Sequence, residues 1–468
     1  MEWHDKSIVV LGAGDTGLSV VRWAERMGAR VRIADTRTTP PGFDELRRGH
    51  PGVEFVAGQY DDALFGDAEL IVASPGVAVA GPACDPAIAR ARAQGKKFVG
   101  DVELFAWEQI ELAQKGTRPK MIGITGSNGK STVTAMAGAM CRAAGLKTRV
   151  AGNIGLPVID AMLDARDHGQ PDVYVVELSS FQLETTWSLE CDSATMLNLS
   201  QDHLDRYASM DDYAAAKRRI FAHGHHQVLN RDDVASLAMR NANSTLTTFG
   251  IGRPNDEREF GIDGDWLRAG DHRLLALSEM PVAGLHNAAN ALAAFALCRA
   301  ACPDTDVEKL TAGLKAFNGL PHRLENVGVI NGVTYFDDSK GTNVGATVAA
   351  LNGMTVPVVL IAGGIGKAQD FSPLVPAVQA HARAVVLIGQ DARLIEDAIA
   401  GTRVPMTHAT SMADAVAQAL ARARSGDAVL LSPACSSFDM FKNYNHRGEV
   451  FAQCVSELKL QREARHVV

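Results

Sequence analysis

The stretch Met121-Ile122-Gly123-Ile124-Thr125-Gly126-Ser127-Asn128-Gly129-Lys130-Ser131-Thr132 constrains this chain more than any other. It reads as a buried strand, a glycine-rich loop and a helix from about Ser131 to Ala144. Glycines let backbone N–H groups turn inward, a helix N-terminus favours negative charge, and Lys130 adds a cation. Ser131 or Thr132 can offer a hydroxyl to Mg²⁺. Gly126, Ser127, Asn128, Gly129, Lys130, Ser131 and Thr132 are therefore the candidate phosphate cradle. The spacing is the short form, Gly126-x-x-Gly129-Lys130-Ser131, because Ile124 stands where a full Walker loop has its first glycine.

At 468 residues the chain is too long for one core and implies about three α/β domains. A polar linker at Gln114–Lys120 and a hinge-like Gly319-Leu320-Pro321-His322-Arg323 divide it into residues 1–113, 114–320 and 321–468. A net charge of −8 argues against nucleic acid or an anionic membrane as the main partner. The seven cysteines are scattered without a CxxC, which fits a reducing cytoplasm. No apolar run has membrane-spanning length, and the N-terminus lacks a signal pattern.

The first domain opens with a strand at Ser7–Leu11, the turn Gly12-Ala13-Gly14-Asp15-Thr16-Gly17, a helix to about Met27 and a strand ending at Asp35. This is GxGxxG with an acid 18 residues after its last glycine, the dinucleotide fingerprint. It suits an NAD-dependent dehydrogenase, a site for another diphosphate, or a tight βα turn with no ligand. A further strand, Leu70–Ala73, delivers Ser74-Pro75-Gly76-Val77 to the edge where open α/β sheets bind ligands.

In the central domain the apolar strand Val173–Val176 ends in Glu177, placed as a Mg²⁺ ligand would be or as a capping carboxylate. Strand Thr148–Ala151 leads to Gly152-Asn153-Ile154-Gly155. His203 follows another strand and could ligate a metal. Lys217 lies on a helix over Asp211–Phe221 beside Arg218 and Arg219, and composition alone makes it part of a solvated face. His286-Asn287-x-x-Asn290 opens a long apolar helix. The third domain alternates strands and helices again, as a parallel doubly wound sheet with its working edge at the strand C-termini.

Taken together these segments resemble the Mur ligases, ATP-dependent amide-bond-forming enzymes of peptidoglycan synthesis. Thr125-Gly126-x-x-Gly129-Lys130-Ser131-Thr132, His286-Asn287-x-x-Asn290 and Pro321-His322-Arg323 are similar to family-wide motifs. Glu177-Leu178-Ser179-Ser180-Phe181-Gln182-Leu183-Glu184, Gly152-Asn153-Ile154-Gly155, Asp338-Ser339-Lys340-x-Thr342-Asn343 and Leu431-Ser432-Pro433-Ala434-Cys435-Ser436-Ser437 are similar to the member that joins D-glutamate to UDP-N-acetylmuramoyl-L-alanine. The resemblance covers nearly the whole chain in order. It implies an N-terminal Rossmann-like domain that binds UDP, a central P-loop ATPase-like domain and a C-terminal Rossmann-like domain, in a cytoplasmic monomer.

The resemblance also implies individual roles. Thr16 and Ser74 would lie on the diphosphate side, Asp35, Thr36 and Arg37 at the uracil edge, and Gly76 would also contact the UDP substrate. Asn153 and His203 would face the muramoyl-alanine portion. Ser131, Glu177, His203 and a carbamylated Lys217 would serve Mg²⁺. Lys130, Asn287, Asn290, Arg323 and Asp338 would bind ATP, with Asp338 on the ribose. Lys340, Thr342, Lys367, Ser437, Phe438 and Tyr444 would contact D-glutamate. Gly341, Ile365, Phe438 and Tyr444 depart from the residues usual at those positions, which touches the shape of the amino-acid pocket rather than the reaction. The competing readings are a Mur-type ligase for another amino acid or a folate substrate, an NAD(P) oxidoreductase, and a non-catalytic nucleotide-binding scaffold. The oxidoreductase leaves the Lys130 loop without a task.

Overall fold

The structure is a computed structural model describing residues 3–282 and 284–466, with side chains to residue 462. It contains three sheets in two compact units. The first unit comprises the chain up to Leu199, Asp205–Met280 and Ala289–Phe317. The second comprises Ser200–Leu204, Pro281–Ala288 and the chain from Asn318.

The first sheet has five parallel strands in the spatial order Glu54–Ala57, Arg30–Asp35, Ser7–Leu11, Leu70–Ala73, Phe98–Val99. Ser7–Leu11 and Leu70–Ala73 are buried throughout, as strands covered on both faces must be. Strand order reverses between these two, so the Gly12 turn and Ser74 flank the topological switch point.

The second sheet runs His272–Ala276, Trp266–Ala269, Glu259–Asp263, Thr245–Phe249, His226–Asn230, Ser193–Met196, Lys120–Thr125, Val173–Glu177, Thr148–Gly152. Its first three strands form antiparallel pairs and the rest pair in parallel. Lys120–Thr125 lies between Ser193–Met196 and Val173–Glu177, which sets the phosphate loop between the ends of those strands.

The two sheets of the first unit share one apolar core. Residues such as Ile8, Val10 and Phe105 belong to the same cluster as Ala151, Tyr174 and Met196. The Phe105 and Tyr174 rings meet edge-on with centroids 5.1 Å apart. Glu103 is the polar rivet: it accepts from Trp187 N–H (2.6 Å), Ser188 N–H (2.9 Å), the Ser188 hydroxyl (2.6 Å) and Trp107 Nε1 (2.9 Å). Arg22 forks onto Asp160 at 3.0 and 2.6 Å, and Arg166 pairs with Glu108.

The second unit holds a six-stranded sheet in the order Glu325–Ile330, Val333–Asp337, Ala428–Leu431, Val358–Gly363, Ala382–Ile388, Met406–His408. It is not wholly parallel as expected. Glu325–Ile330 pairs antiparallel with Val333–Asp337 through Asn331-Gly332, both at positive φ (52° and 76°). That is the two-residue turn whose twist suits a hairpin. A 23-residue helix, Tyr444–His466, closes the described chain and is not legible as an element in the sequence.

Replacing Glu103 by Ala leaves two backbone N–H groups, a hydroxyl and the Trp107 indole N–H without their acceptor. It is expected to destabilise the first unit by about 3 kcal/mol, read as a lowered urea midpoint. An unchanged midpoint would show that the rivet is not needed.

Candidate active site

The phosphate loop leaves strand Lys120–Thr125 at Gly126 (φ 150°) and enters helix Lys130–Ala143 from Gly129 in the left-handed region (φ 82°). A Cβ at Gly129 would stand 2.6 Å from Asn290 Oδ1, so the loop and the expected ATP residue Asn290 touch closely. Gly129, at the N-cap, has no side chain to cap the helix, and a helix N-terminus favours an anion. Lys130 folds over its own loop and donates to the Gly126 and Ser127 carbonyls, both at 2.9 Å. Ser131 and Thr132 are buried at the helix start. Asn198, which carries no local sequence signal, pins the loop from the neighbouring strand exit. Its Oδ1 accepts from Asn128 N–H at 2.8 Å and its Nδ2 donates to the Asn128 carbonyl at 3.1 Å.

Glu177 stands one strand away, in register with Ile124 and Gly152. It is 1% exposed. Oε1 accepts from Asn153 Nδ2 at 2.7 Å, whereas buried Oε2 has no hydrogen-bond partner among the described residues. A Cβ at Gly152 would lie 2.2 Å from the Glu177 carbonyl oxygen, so glycine is required for this approach. An orphaned, buried carboxylate oxygen near a hydroxyl-bearing phosphate loop suits a hard divalent cation such as Mg²⁺.

Lys217 does not lie on a solvated face. The helix Met210–Arg218 turns Tyr213, Ala216 and Lys217 inward and leaves Arg218 exposed. Lys217 is 1% exposed, and its Nζ donates to the Gly126 carbonyl at 2.8 Å and approaches Thr125 Oγ1 at 3.5 Å. The ammonium lies 4.6 Å from the centroid of the Tyr213 ring, whose hydroxyl is 3.2 Å from Ser127 Oγ.

At the switch point of the first sheet, Gly17 approaches Gly12 so closely that a Cβ would fall 1.9 Å from the Gly12 oxygen. The Ser74 hydroxyl donates to that same carbonyl at 3.1 Å. Thr16 is half-buried in the first turn of the helix, and Thr36 and Gly76 are exposed. The Asp35 carboxylate accepts from Ala13 N–H (2.9 Å) and from Arg37 N–H, Nε and Nη2 (2.9, 2.8 and 2.7 Å). Burial opposes its charge, yet Arg37 and Ala13 N–H hold its pKa below the usual value.

The second unit gathers a separate set. Ser432 donates to Asp338 Oδ2 at 2.7 Å, and burial pushes the Asp338 carboxyl up to about 7 against the pull of Ser432 and Arg323. The Lys340 ammonium sits 3.8 Å from the Tyr444 ring centroid. Lys367, at positive φ (53°), donates to Asp202 at 2.7 Å, and Asn343 Nδ2 donates to Asp202 at 3.1 Å. His203 (φ 58°) adjoins Asp202 in this unit, with Nε2 3.5 Å from Oδ2. Thr342 is half-buried, Ser437 buried and Phe438 70% exposed. Buried Arg447, also missed in the sequence, donates to the Ser339 hydroxyl and carbonyl and to the Cys435 carbonyl. It thereby ties the Asp338–Thr342 and Ser432–Ser437 loops to the last helix. Asn287 is buried in the second unit, whereas Asn290 belongs to the first.

The pattern of phosphate loop, orphaned Glu177 and buried Lys217 is that of a nucleotide-dependent ligase, and the chain belongs to the Mur ligase family, a class of ATP-dependent amide-bond-forming enzymes. Residues 6–100 match the family model "Mur ligase MurD-like, N-terminal domain", 124–298 the "Mur ligase middle domain" and 322–435 the "Mur ligase, glutamate ligase domain". It is 51% identical over 465 residues to the UDP-N-acetylmuramoylalanine--D-glutamate ligase of Methylobacillus flagellatus, covering 98% of both chains. It is 53% identical over 472 residues to the enzyme of that name from Thiobacillus denitrificans, covering 99% of this chain and 98% of the other. Among solved structures, UDP-N-acetylmuramate-alanine ligase from Thermotoga maritima shares the fold, with a TM-score of 0.59 at 18% identity over 97% of this chain and 100% of that one.

Lys130→Ala removes the loop's own cation but touches nothing at the first sheet's switch point. It is expected to lower ATP turnover by about a hundredfold or more. Calorimetric binding of a uridine-diphosphate ligand should stay nearly unchanged. Loss of both in a folded variant would contradict the assignment of the two sites to separate sheets.

Proposed function

We propose that this chain joins D-glutamate to UDP-N-acetylmuramoyl-L-alanine with cleavage of ATP to ADP and phosphate, through an acyl phosphate. The observation that carries the ligase chemistry is the set of groups at the phosphate loop: Lys130 and Lys217 on the Gly126 carbonyl and Glu177 Oε2 buried without a partner among the described residues. The substrates are those named for relatives about half identical over nearly the full chain. A carboxylate is a poor acyl donor to an amine. Its oxygen attacks the γ-phosphoryl group, ADP departs, and the acyl phosphate becomes the electrophile. The amine of D-glutamate then adds to the acyl carbon, loses a proton, and phosphate leaves from the tetrahedral intermediate. Lys130 and the open helix N-terminus stabilise the charge on the transferring phosphoryl group. Ser131 and Glu177, with His203 and Lys217 as further members, would hold Mg²⁺, which would supply additional charge neutralisation when bound.

In this reading the switch point between Gly12–Gly17 and Ser74 holds the diphosphate, with Thr16, and Gly76 contacts the UDP substrate. Asp35, Thr36 and Arg37 hold the uracil edge, and Asn153 orients the muramoyl-alanine portion. Asn287, Asn290, Arg323 and Asp338 bind ATP. Lys340, Thr342, Lys367, Ser437, Phe438 and Tyr444 receive D-glutamate. The domains are 1–113, 114–320 and 321–468. We read the enzyme as a cytoplasmic monomer, a reading that fits its seven free cysteines; among the described residues no helix is long and apolar enough to cross a membrane.

Phosphate release with UDP-N-acetylmuramoyl-L-alanine and ATP is expected with D-glutamate and not with L-glutamate. Equal turnover with the L-isomer would overturn the substrate assignment.

Lys217 is proposed to work as its carbamate. Burial disfavours the ammonium, the neutral amine adds CO₂ with release of a proton, and a cation becomes an anion able to serve a metal. The intact active protein is expected to carry the mass of one CO₂ on Lys217. Lys217→Ala should lose most activity and regain part of it with added small carboxylates. A fully active, metal-loaded enzyme bearing an unmodified lysine would exclude the carbamate.

A further inference from the structure

Arg206 belongs to neither ligand loop, yet it is only 8% exposed and its partners lie within the first unit. It forks onto Glu184, with Nε 3.1 Å from Oε1 and Nη2 2.7 Å from Oε2. Its guanidinium carbon lies 4.1 Å from the centroid of the Phe181 ring. The remaining donors cross to the first sheet: Nη1 donates to the Pro75 carbonyl at 2.8 Å and Nη2 to the Val77 carbonyl at 3.4 Å. Pro75 and Val77 belong to the turn that begins at Ser74, closed by Val77 N–H on the Ser74 carbonyl at 2.9 Å. Ser74 in turn is bonded to Gly12. At the other end, Glu184 ends the short helix that Ser179 and Gln182 cap reciprocally, immediately after Glu177.

We infer that Arg206 is a positioning residue that fixes the Ser74–Val77 turn relative to the Glu177 strand exit, and so sets how a diphosphate-linked substrate held at the first sheet presents its carboxylate. The inference rests on the ligase reading above. A planar guanidinium fork can satisfy a carboxylate and two carbonyls together; an ammonium cannot reproduce that geometry. Glu184 keeps the fork aligned, so its carboxylate acts on the Ser74–Val77 turn through Arg206.

The test uses the full chain with Arg206→Lys and Glu184→Gln, assayed by phosphate release. Activity of the unsubstituted chain with D-glutamate tests the ligase reading itself, and the variants test the strut. Arg206→Lys is expected to raise KM for UDP-N-acetylmuramoyl-L-alanine about tenfold with KM for ATP within about twofold, the signature of a displaced substrate site rather than a weakened fold. Glu184→Gln, which retains an acceptor oxygen, should shift the same constant in the same direction by less. Calorimetric affinity for the UDP substrate without ATP should weaken in parallel. Both KM values rising together, or neither moving in a folded Arg206→Lys protein, would overturn the inference. Should that variant not fold, an unaltered UDP-substrate KM in Glu184→Gln would do so.

Discussion

Two lysine ammonium groups donate to one carbonyl oxygen, that of Gly126, and much of the first unit is arranged around that pairing. One arrives from the helix that the loop itself starts, the other from a helix far later in the chain. Two like charges on a single acceptor repel each other, and the Tyr213 ring face relieves only part of that. An anion in the loop removes the repulsion, as a phosphate would. Converting Lys217 to an anion removes it differently and leaves Lys130 to carry the positive charge. The open helix N-terminus acts in the same sense as the two lysines. The loop therefore demands negative charge on three independent grounds.

The opposite tendency is found one strand away. Glu177 is buried with one oxygen bonded and one orphaned among the described residues, a state that a cation would relieve. Strand register brings these demands together: Glu177 pairs with Ile124 on one side and Gly152 on the other, so the carboxylate, the phosphate loop and Asn153 emerge at one sheet edge. Backbone hydrogen bonds determine that placement before any side chain is considered. Gly152 permits it because any Cβ there would strike the Glu177 carbonyl.

Most of this edge is legible in the sequence because parallel strands buried on both faces are short apolar runs, and the residues at the end of each run emerge at the binding edge. The strand exits at Gly12, Ser74, Gly126 and Glu177 stand out in this way. Burial of Lys217 does not, since Arg218 and Arg219 beside it suggest a solvated face; the informative spacing is Tyr213, Ala216 and Lys217, at i, i+3 and i+4. Asn331-Gly332 carries a hairpin signal within a region whose alternation otherwise suggests a wholly parallel sheet. The last helix buries Arg447, Phe451 and Val455, a four-residue spacing diluted by polar neighbours. Asn198, Glu103 and Arg447 act through partners distant in sequence, and no local pattern announces such bonds.

The core shared by the first two sheets makes the linker at Gln114–Lys120 a boundary of topology and not of stability. A fragment ending at residue 113 would retain Phe105 and Trp107 but not Tyr174, and would retain Glu103 without its Trp187 and Ser188 donors. Its helix Asp101–Gln114 would present to water a face built for burial. The nucleotide-fingerprint region is thus not a portable module that could be exchanged between chains at its apparent borders. Any exchange would have to carry along the opposing surface of the central sheet.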